Sequence, residues 1–465
     1  MLVVLEEAPV ATDHGRSLNE LDYPAATVVP AVQAAIPAQR GHPAGSGRRR
    51  AADRLVARGV RLARRVIRLT GRGRGATLPG LLAERCAPGI AGRWAAHLER
   101  VVLVSGTNGK TTTTALLSGA LAGAGRRVAT NASGSNLHRG LVTALLCADQ
   151  DAQDAVLEVD EAVLPGAIEQ LRPVVVALLN LSRDQLDRHH EVGGLGERWR
   201  AAMAHLPAGA TVVANAGDAR VAHIAEAAPR AVLVGMPGAR RGRDDVACPR
   251  CGALLVEGPG GAPRCRRCEW APMPVAVEVW RRHAAVRVRG LGLERRAQLP
   301  VGADGYALDA ATAWTAATLL GVDPTAAWAA VTAAGTVQGR YAERRWQDVS
   351  VRLLLAKNPA GWDEALVAAA DRRRAAVVAV NGFGPDGRDT SWLWDVGMAR
   401  LRDRPRVVAT GARAEDVALR LEVAGVGCAI VRPLAAAITG ARAEAVDLFA
   451  DYTSFQAARR LLGDG

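Results

Sequence analysis

The run Val101-Val102-Leu103-Val104-Ser105-Gly106-Thr107-Asn108-Gly109-Lys110-Thr111-Thr112-Thr113-Thr114 constrains this chain more than any other stretch. Its first four residues read as a buried parallel strand, and the polar, glycine-rich turn behind them leads to a helix start at Ala115-Leu116-Leu117. Such a turn aims unpaired backbone N–H groups at the space ahead of a helix N-terminus, where the macrodipole also favours negative charge, so a polyphosphate is its natural occupant. Gly106, Thr107, Asn108, Gly109, Lys110, Thr111 and Thr112 are therefore candidate nucleotide-binding residues, with Lys110 reaching the terminal phosphates and the Thr111 hydroxyl holding Mg2+. The common phosphate-loop pattern wants a glycine where this chain has Val104; the glycine sits at Gly106 instead.

The chain of 465 residues is long enough for two or three domains, each with its own core. No run approaches the roughly eighteen apolar residues of a membrane span, and the N-terminus lacks a basic-then-apolar signal pattern, so the expected compartment is the cytoplasm. A net charge of +13, mostly from arginine, suits phosphorylated substrates, anionic lipid or nucleic acid without choosing among them.

Residues 1–47 are rich in Ala, Pro and Gly without sustained periodicity and are expected to be disordered. Across 48–77, arginines interleave with Leu55, Val60, Leu62, Val66, Ile67 and Leu69, the pattern of a basic amphipathic helix. Such a helix packs on the next domain with a solvated basic face, rests on an anionic membrane surface, or contacts nucleic acid. From Leu78 to about Val234 apolar strands alternate with helical stretches, as in a doubly wound α/β domain. The strand Ala155–Val159 delivers Glu158 near its C-terminal end, where ligands of open α/β sheets bind, so Glu158 is a candidate magnesium ligand beside the phosphates.

Cys248, Cys251, Cys265 and Cys268 form two C-x2-C knuckles within an insertion at about 244–272, the pattern of a structural zinc ribbon whose four thiolates leave no open position. The arginines around it would also suit a nucleic-acid finger, whereas Cys86, Cys147 and Cys428 read as small apolar fillers. Beyond it, helices are expected at 309–320 and 325–334, then strands at 349–355, 375–380, 406–410 and 445–449 that make a second, smaller α/β domain. Two polar segments, 356–361 and 381–395, sit at strand ends of that domain; Trp392 and Trp394 are core residues or interface anchors.

Gly106-Thr107-Asn108-Gly109-Lys110-Thr111-Thr112 resembles the ATP loop of the Mur ligases, and so does the run Glu158-Val159-Asp160-Glu161. Asn180, Asp184 and Asp187 resemble the family's Asn-x-x-x-Asp-His-x-Asp segment, with Gln185 at the histidine position. The paired cysteines and the segment from Asp386 to Asp395 narrow the resemblance to the MurT branch, from about Leu78 to the C-terminus. That branch comprises the ligase-like subunits of lipid II isoglutaminyl synthase.

The resemblance implies an α/β fold with a Mur-ligase-type central P-loop ATPase domain (78–337) carrying the zinc-ribbon insertion, and a smaller C-terminal MurT-type domain (338–465). It implies ATP, Mg2+ and structural Zn2+, and an acyl phosphate formed on the α-carboxylate of D-glutamate in a lipid II stem peptide and captured by ammonia. The ammonia comes from a GatD-like class I glutaminase in a cytoplasmic heterodimer, for which the basic segment 48–77 offers a peripheral contact with the inner membrane surface. Arg340, in Gln338-Gly339-Arg340, takes the place of the hinge arginine that reaches the phosphates, and Asp389 that of the acidic residue completing the glutaminase triad, with Asp395 its local rival. Departures from the family are Met203 where a carbamylated lysine is usual, and Tyr306 and Asp309 where asparagines contact adenine. The rivals are a free-standing ligase of the folate-polyglutamylating kind, against which Met203 and the tryptophan-rich segment speak, and a nucleotide-gated nucleic-acid binder using the ribbon and the helix of residues 48–74.

Overall fold

The computed structural model describes Ile36 and residues 47–70, 75–131, 135–149, 151–182, 192–238, 246–258, 261–334, 341–369, 371–383, 386–387 and 389–463. All of them belong to one compact unit, Val32–Gly465. Most of the expected disordered tail lies outside the described residues, but Ile36 departs from the expectation. Its side chain is buried in the core, and its N–H donates to the Leu319 carbonyl at 2.8 Å.

Strand β1 (Arg100–Ser105) lies among the parallel strands of a nine-stranded sheet, paired with β3 (Asp154–Val159) on one side and β4 (Val175–Leu178) on the other. Beyond β3 comes β2 (Val128–Thr130); beyond β4 come β5 (Thr211–Asn215), β6 (Ala231–Gly235) and β9 (Val275–Arg282), all parallel. Antiparallel β10 (Ala285–Gly290) and β11 (Leu293–Gln298) close the edge. A period of two sends Val101 and Leu103 into one core and Val102 and Val104 into the other, so both faces must be covered by helices.

On one face pack α3 (Ile90–Ala95), α5 (His138–Cys147), α6 (Leu164–Leu171) and α7 (Val192–Ala204). On the other pack α4 (Lys110–Gly123), α9 (Asp304–Leu319) and α10 (Pro324–Ala333). Two helices begin earlier than sequence suggests: α4 at Lys110 rather than Ala115, and α9 at Asp304 rather than Asp309. Threonines are indifferent helix formers, which hides the first turn of α4, but Thr112, Thr113 and Thr114 are buried there, so packing outweighs propensity.

Helix α1 (Gly47–Leu69) packs Ala57 and Val60 on this domain beside α2 (Leu78–Cys86). The cysteine insertion, between β6 and β9, forms the hairpin β7 (Leu255–Glu257) and β8 (Pro263–Cys265), while α8 (Ala219–Ala225) lies beside it.

The C-terminal region builds a six-stranded sheet in the order β12 (Tyr341–Trp346), β13 (Val349–Leu355), β17 (Ala445–Ala450), β14 (Ala375–Ala379), β15 (Val407–Thr410) and β16 (Ala429–Ile430). Only β12 runs antiparallel. Helices α11 (Pro359–Ala368) and α12 (Ala414–Val423) cover one face; α13 (Leu434–Gly440) and α14 (Tyr452–Leu461) cover the other. Of the three lone cysteines, Cys147 and Cys428 pack against cores as expected, but Cys86 is exposed at the end of α2 and fills nothing.

Candidate active site

The loop between β1 and α4 has its glycines where the backbone allows nothing else. Gly106 has φ +148°, and a Cβ there would lie 2.9 Å from Leu179 Cβ; Gly109 has φ +85°, and a Cβ there would lie 2.3 Å from Asp309 Oδ1. This explains the shifted glycine: close approach to the loop after β4 falls at residue 106, while Val104 stays in the strand core.

That neighbouring loop zips onto the first. Asn180 accepts the Asn108 N–H on its side-chain oxygen at 2.8 Å, donates its amide to the Asn108 carbonyl at 3.2 Å, and takes the Thr107 N–H on its own carbonyl at 3.0 Å. The Ser182 N–H donates to Thr107 Oγ1 at 3.0 Å. Two loop amides are thus committed internally, and the amides at the start of α4 are those left to meet an anion.

Lys110 and Thr111 open α4 toward two carboxylates. Lys110 Nζ lies 2.7 Å from Glu161 Oε1 and also donates to the Gly106 carbonyl. Burial pushes the Glu161 carboxyl up, but the charges of Lys110 and Lys357 outweigh it and hold the group below the usual carboxylate range. Thr111 Oγ1 donates to Glu158 Oε2 at 2.8 Å, while Asn136 donates to Glu158 Oε1 at 3.2 Å. Asn131 brackets the Glu158 backbone, donating to its carbonyl at 2.8 Å and accepting its N–H at 2.9 Å. A hydroxyl and a carboxylate so fixed beside a phosphate-type loop are hard oxygen donors that fit Mg2+. Asn131 and Asn136 escape sequence reasoning, because their loop carries neither an apolar period nor a titratable group.

The C-terminal domain reaches this same point. Asn358 and Asn108 exchange side-chain amide hydrogen bonds at 3.2 and 3.3 Å, and Asn358 also caps α11 by accepting the Gly361 N–H at 2.8 Å. Lys357 adds its charge beside Glu161. Glu364 of α11 presses so closely on Gly305 that a Cβ there would stand 1.8 Å from its Oε1.

Tyr306 and Asp309 are buried on the first turns of α9, with Asp309 against Gly109. Burial, aided by the Asp309 charge, pushes the Tyr306 phenol up to about 12. Met203 is fully buried in the hydrophobic core, with no polar role. Arg340, Asp184, Gln185 and Asp187 lie outside the described residues.

The four cysteines of the insertion converge, with Cys248 Sγ 3.5 Å from Cys268 Sγ, Cys251 Sγ 3.5 Å from Cys265 Sγ, and all four sulfurs within 4.8 Å of one another. That spacing suits four thiolates around one tetrahedral ion. Trp270 ties the hairpin to the domain by donating to Glu226 at 2.8 Å, and Arg250 pairs with the same carboxylate at 3.1 Å.

Asp389 is exposed at the C-terminal end of the second sheet. Its Oδ1 accepts the Ser391 N–H at 2.8 Å, which holds the carboxyl below its ordinary value. The segment is moored by Asp386, which accepts the Tyr452 and Thr453 amides at 2.8 and 2.9 Å. Phe383, Trp394 and Tyr452 are exposed here, whereas Trp392 packs against the core.

A phosphate loop with a threonine–glutamate pair beside it, and a second α/β domain seated on the loop, define a Mur-type ligase. Residues 104–244 match the family described as Mur ligase middle domain, and residues 355–455 that described as MurT ligase C-terminal. Over 382 residues the chain is 30% identical to the lipid II isoglutaminyl synthase (glutamine-hydrolyzing) subunit MurT of Streptococcus pneumoniae, covering 76% of this chain and 83% of that one. The corresponding subunit of Staphylococcus aureus is 27% identical over 388 residues, 80% of this chain and 88% of that one. The chain belongs to the MurT family. A pseudomurein peptide ligase type C from Methanothermus fervidus shares the fold, with a TM-score of 0.63 over 78% of each chain at 18% identity.

Proposed function

We propose that this chain is the ATP-dependent synthetase subunit of a lipid II isoglutaminyl synthase. The γ-phosphoryl group of ATP passes to the α-carboxylate of D-glutamate in the stem peptide and ADP leaves; ammonia then attacks the acyl phosphate, and inorganic phosphate departs as the amide forms. The single observation that carries this reading is the seating of the C-terminal domain on the phosphate loop through Asn108 and Asn358. It puts Lys357 of one domain and Lys110 of the other around Glu161, so that two cations converge where phosphoryl charge moves.

In this reading Gly106, Thr107, Asn108, Gly109, Lys110, Thr111 and Thr112 form the ATP loop, and Arg340 reaches the phosphates from the hinge. Thr111 and Glu158 would hold Mg2+, which supplies charge neutralisation at the phosphates. Cys248, Cys251, Cys265 and Cys268 would hold structural Zn2+, a ribbon that stiffens the insertion. Asp389 orients the histidine of a GatD-like glutaminase that docks on the exposed aromatics around it, and the pair works in the cytoplasm.

The test is mass spectrometry of lipid II incubated with ATP, glutamine and this chain, with and without its glutaminase. The expected product is lighter by the difference between hydroxyl and amine, and appears only with both chains; an unaltered mass overturns the reading. For the ribbon, Cys251→Ser is expected to release zinc and lower the thermal midpoint, and an unchanged metal content refutes the site.

A further inference from the structure

We propose that α1 is a docking surface for an anionic lipid bilayer, lying in the plane of the membrane interface. The helix has three faces. Ala57 and Val60 face the domain and are buried, and Asp53, the only acidic residue of the helix, is taken by Arg93 in a two-pronged pair at 2.8 Å. Leu55, Leu62, Val66 and Leu69 form a second face and are 70%, 64%, 49% and 79% exposed. Gly59 continues that stripe, with open space where its Cβ would be. Positions 55, 59, 62, 66 and 69 fall within roughly 80° of arc on a helix of 3.6 residues per turn and run for about 20 Å.

The third face repeats the second one residue earlier. Arg54, Arg58, Arg61, Arg65 and Arg68 make a parallel stripe about 100° away, with all but the half-buried Arg61 exposed. Adjacent stripes of leucine and arginine match the two layers of a membrane interface: acyl chains take the apolar side chains, while headgroup phosphates take the guanidinium groups. The underside packing fixes the helix so that these stripes point away from the domain. Nucleic acid would use the arginines and leave the leucines in water, so the apolar stripe decides for lipid. No helix among the described residues is long and apolar enough to cross a membrane. The neighbouring α2 also exposes Leu78 and Leu82. The use of this contact, bringing the ligase to a substrate held by its lipid tail, rests on the proposed function above; the contact itself does not.

Flotation of the full chain with phosphatidylcholine vesicles, with and without phosphatidylglycerol, tests the proposal. Binding is expected only with the anionic lipid and is expected to weaken as salt rises. Leu62→Gln with Val66→Gln should cut vesicle affinity on the order of tenfold or more at unchanged thermal midpoint, since both side chains are exposed. Arg58→Gln and Arg65→Gln should each cost roughly fivefold. Absence of flotation, flotation insensitive to the Leu62 and Val66 changes, or a salt-sensitive shift of duplex DNA in place of vesicle binding would each overturn it. Amidation of detergent-dispersed lipid II separates the two readings. If turnover persists while vesicles are ignored, membrane docking fails alone; vesicle binding without turnover defeats the amidation reading and leaves docking standing.

Discussion

The two sheets of this molecule are fastened alike at one end and finished differently at the other. In the large sheet Arg100 of β1 lies in register with Asp154 of β3, and the fully buried carboxylate takes Arg100 Nε at 3.1 Å and Arg126 Nη2 at 3.0 Å. In the small sheet Arg352 of β13 lies in register with Asp447 of β17, and that buried carboxylate takes Arg352, Arg374 and Arg404 at 2.8 Å each. At the opposite ends the helices beside the two candidate sites part. Helix α4 starts behind Gly109, an N-cap with no side chain to offer, whereas α11 is capped by Asn358 and α14 by Asp451, with Asp386 on the next amides. An uncapped helix start behind a glycine turn can receive an external anion; helix starts plugged by their own side chains cannot, and are free to serve as docking ground.

The sharpest way to break this comparison is to remove one side chain from each functional end. Asp389→Asn should lower glutamine-driven amidation by about ten-thousandfold, the scale for a triad that loses its orienting carboxylate, while free ammonia still supports turnover. Equal loss with both nitrogen donors would show that the C-terminal domain does chemistry of its own. Lys110→Ala should lower turnover by roughly a thousandfold with either donor, because phosphoryl transfer precedes the choice of nitrogen. A variant that kept ammonia-driven activity would remove the phosphate loop from the reaction.

At the fastened ends the two domains should respond alike. Asp447→Ala removes the carboxylate shared by three guanidinium groups, of which Arg374 and Arg404 keep backbone carbonyl partners, and loss of one partner of a buried ionic cluster costs about 3 kcal/mol. Asp154→Ala should cost a similar amount through Arg100 and Arg126. Urea midpoints of the two variants check this; near-wild-type stability in one of them would mean that its cluster is merely tolerated.

How legible these ends are from sequence follows from the kind of signal each carries. The phosphate loop is local: strand, glycines, lysine and threonine are consecutive, so both their chemistry and their place at a sheet end can be read along the chain. The four cysteines are legible for the same reason. The clamps and the domain seat are not, because Arg352 and Asp447, or Asn108 and Asn358, meet only through topology. Strand β11 escapes because Leu293, Arg295 and Ala297 alternate with Glu294, Arg296 and Gln298, too polar a run to register as a strand. Glu161 lies inside the run Glu158-Val159-Asp160-Glu161, yet its role as partner of Lys110 depends on side-chain direction past the end of β3.

The smallest effect separates the domains by the sign of their pH response. Glu161 sits below its ordinary value, so it adds stability that is present above the usual glutamate range and is lost as pH falls through its lowered value. Asp451 is raised, chiefly by burial and further by Asp386, against the amides of Asn381 and Ser454 that pull it down. Its native state prefers the proton, so stability rises as pH falls from its raised value toward the ordinary aspartate range. On acidification the C-terminal contribution should therefore come first and be favourable, and the central one should follow and be unfavourable. Thermal midpoints across this range should show Asp451→Asn flattening the upper part of the curve and Glu161→Gln the lower part. If both variants instead track the wild-type curve in parallel, neither carboxylate titrates against its buried surroundings, and the opposed finishing of the two sheets has no electrostatic consequence.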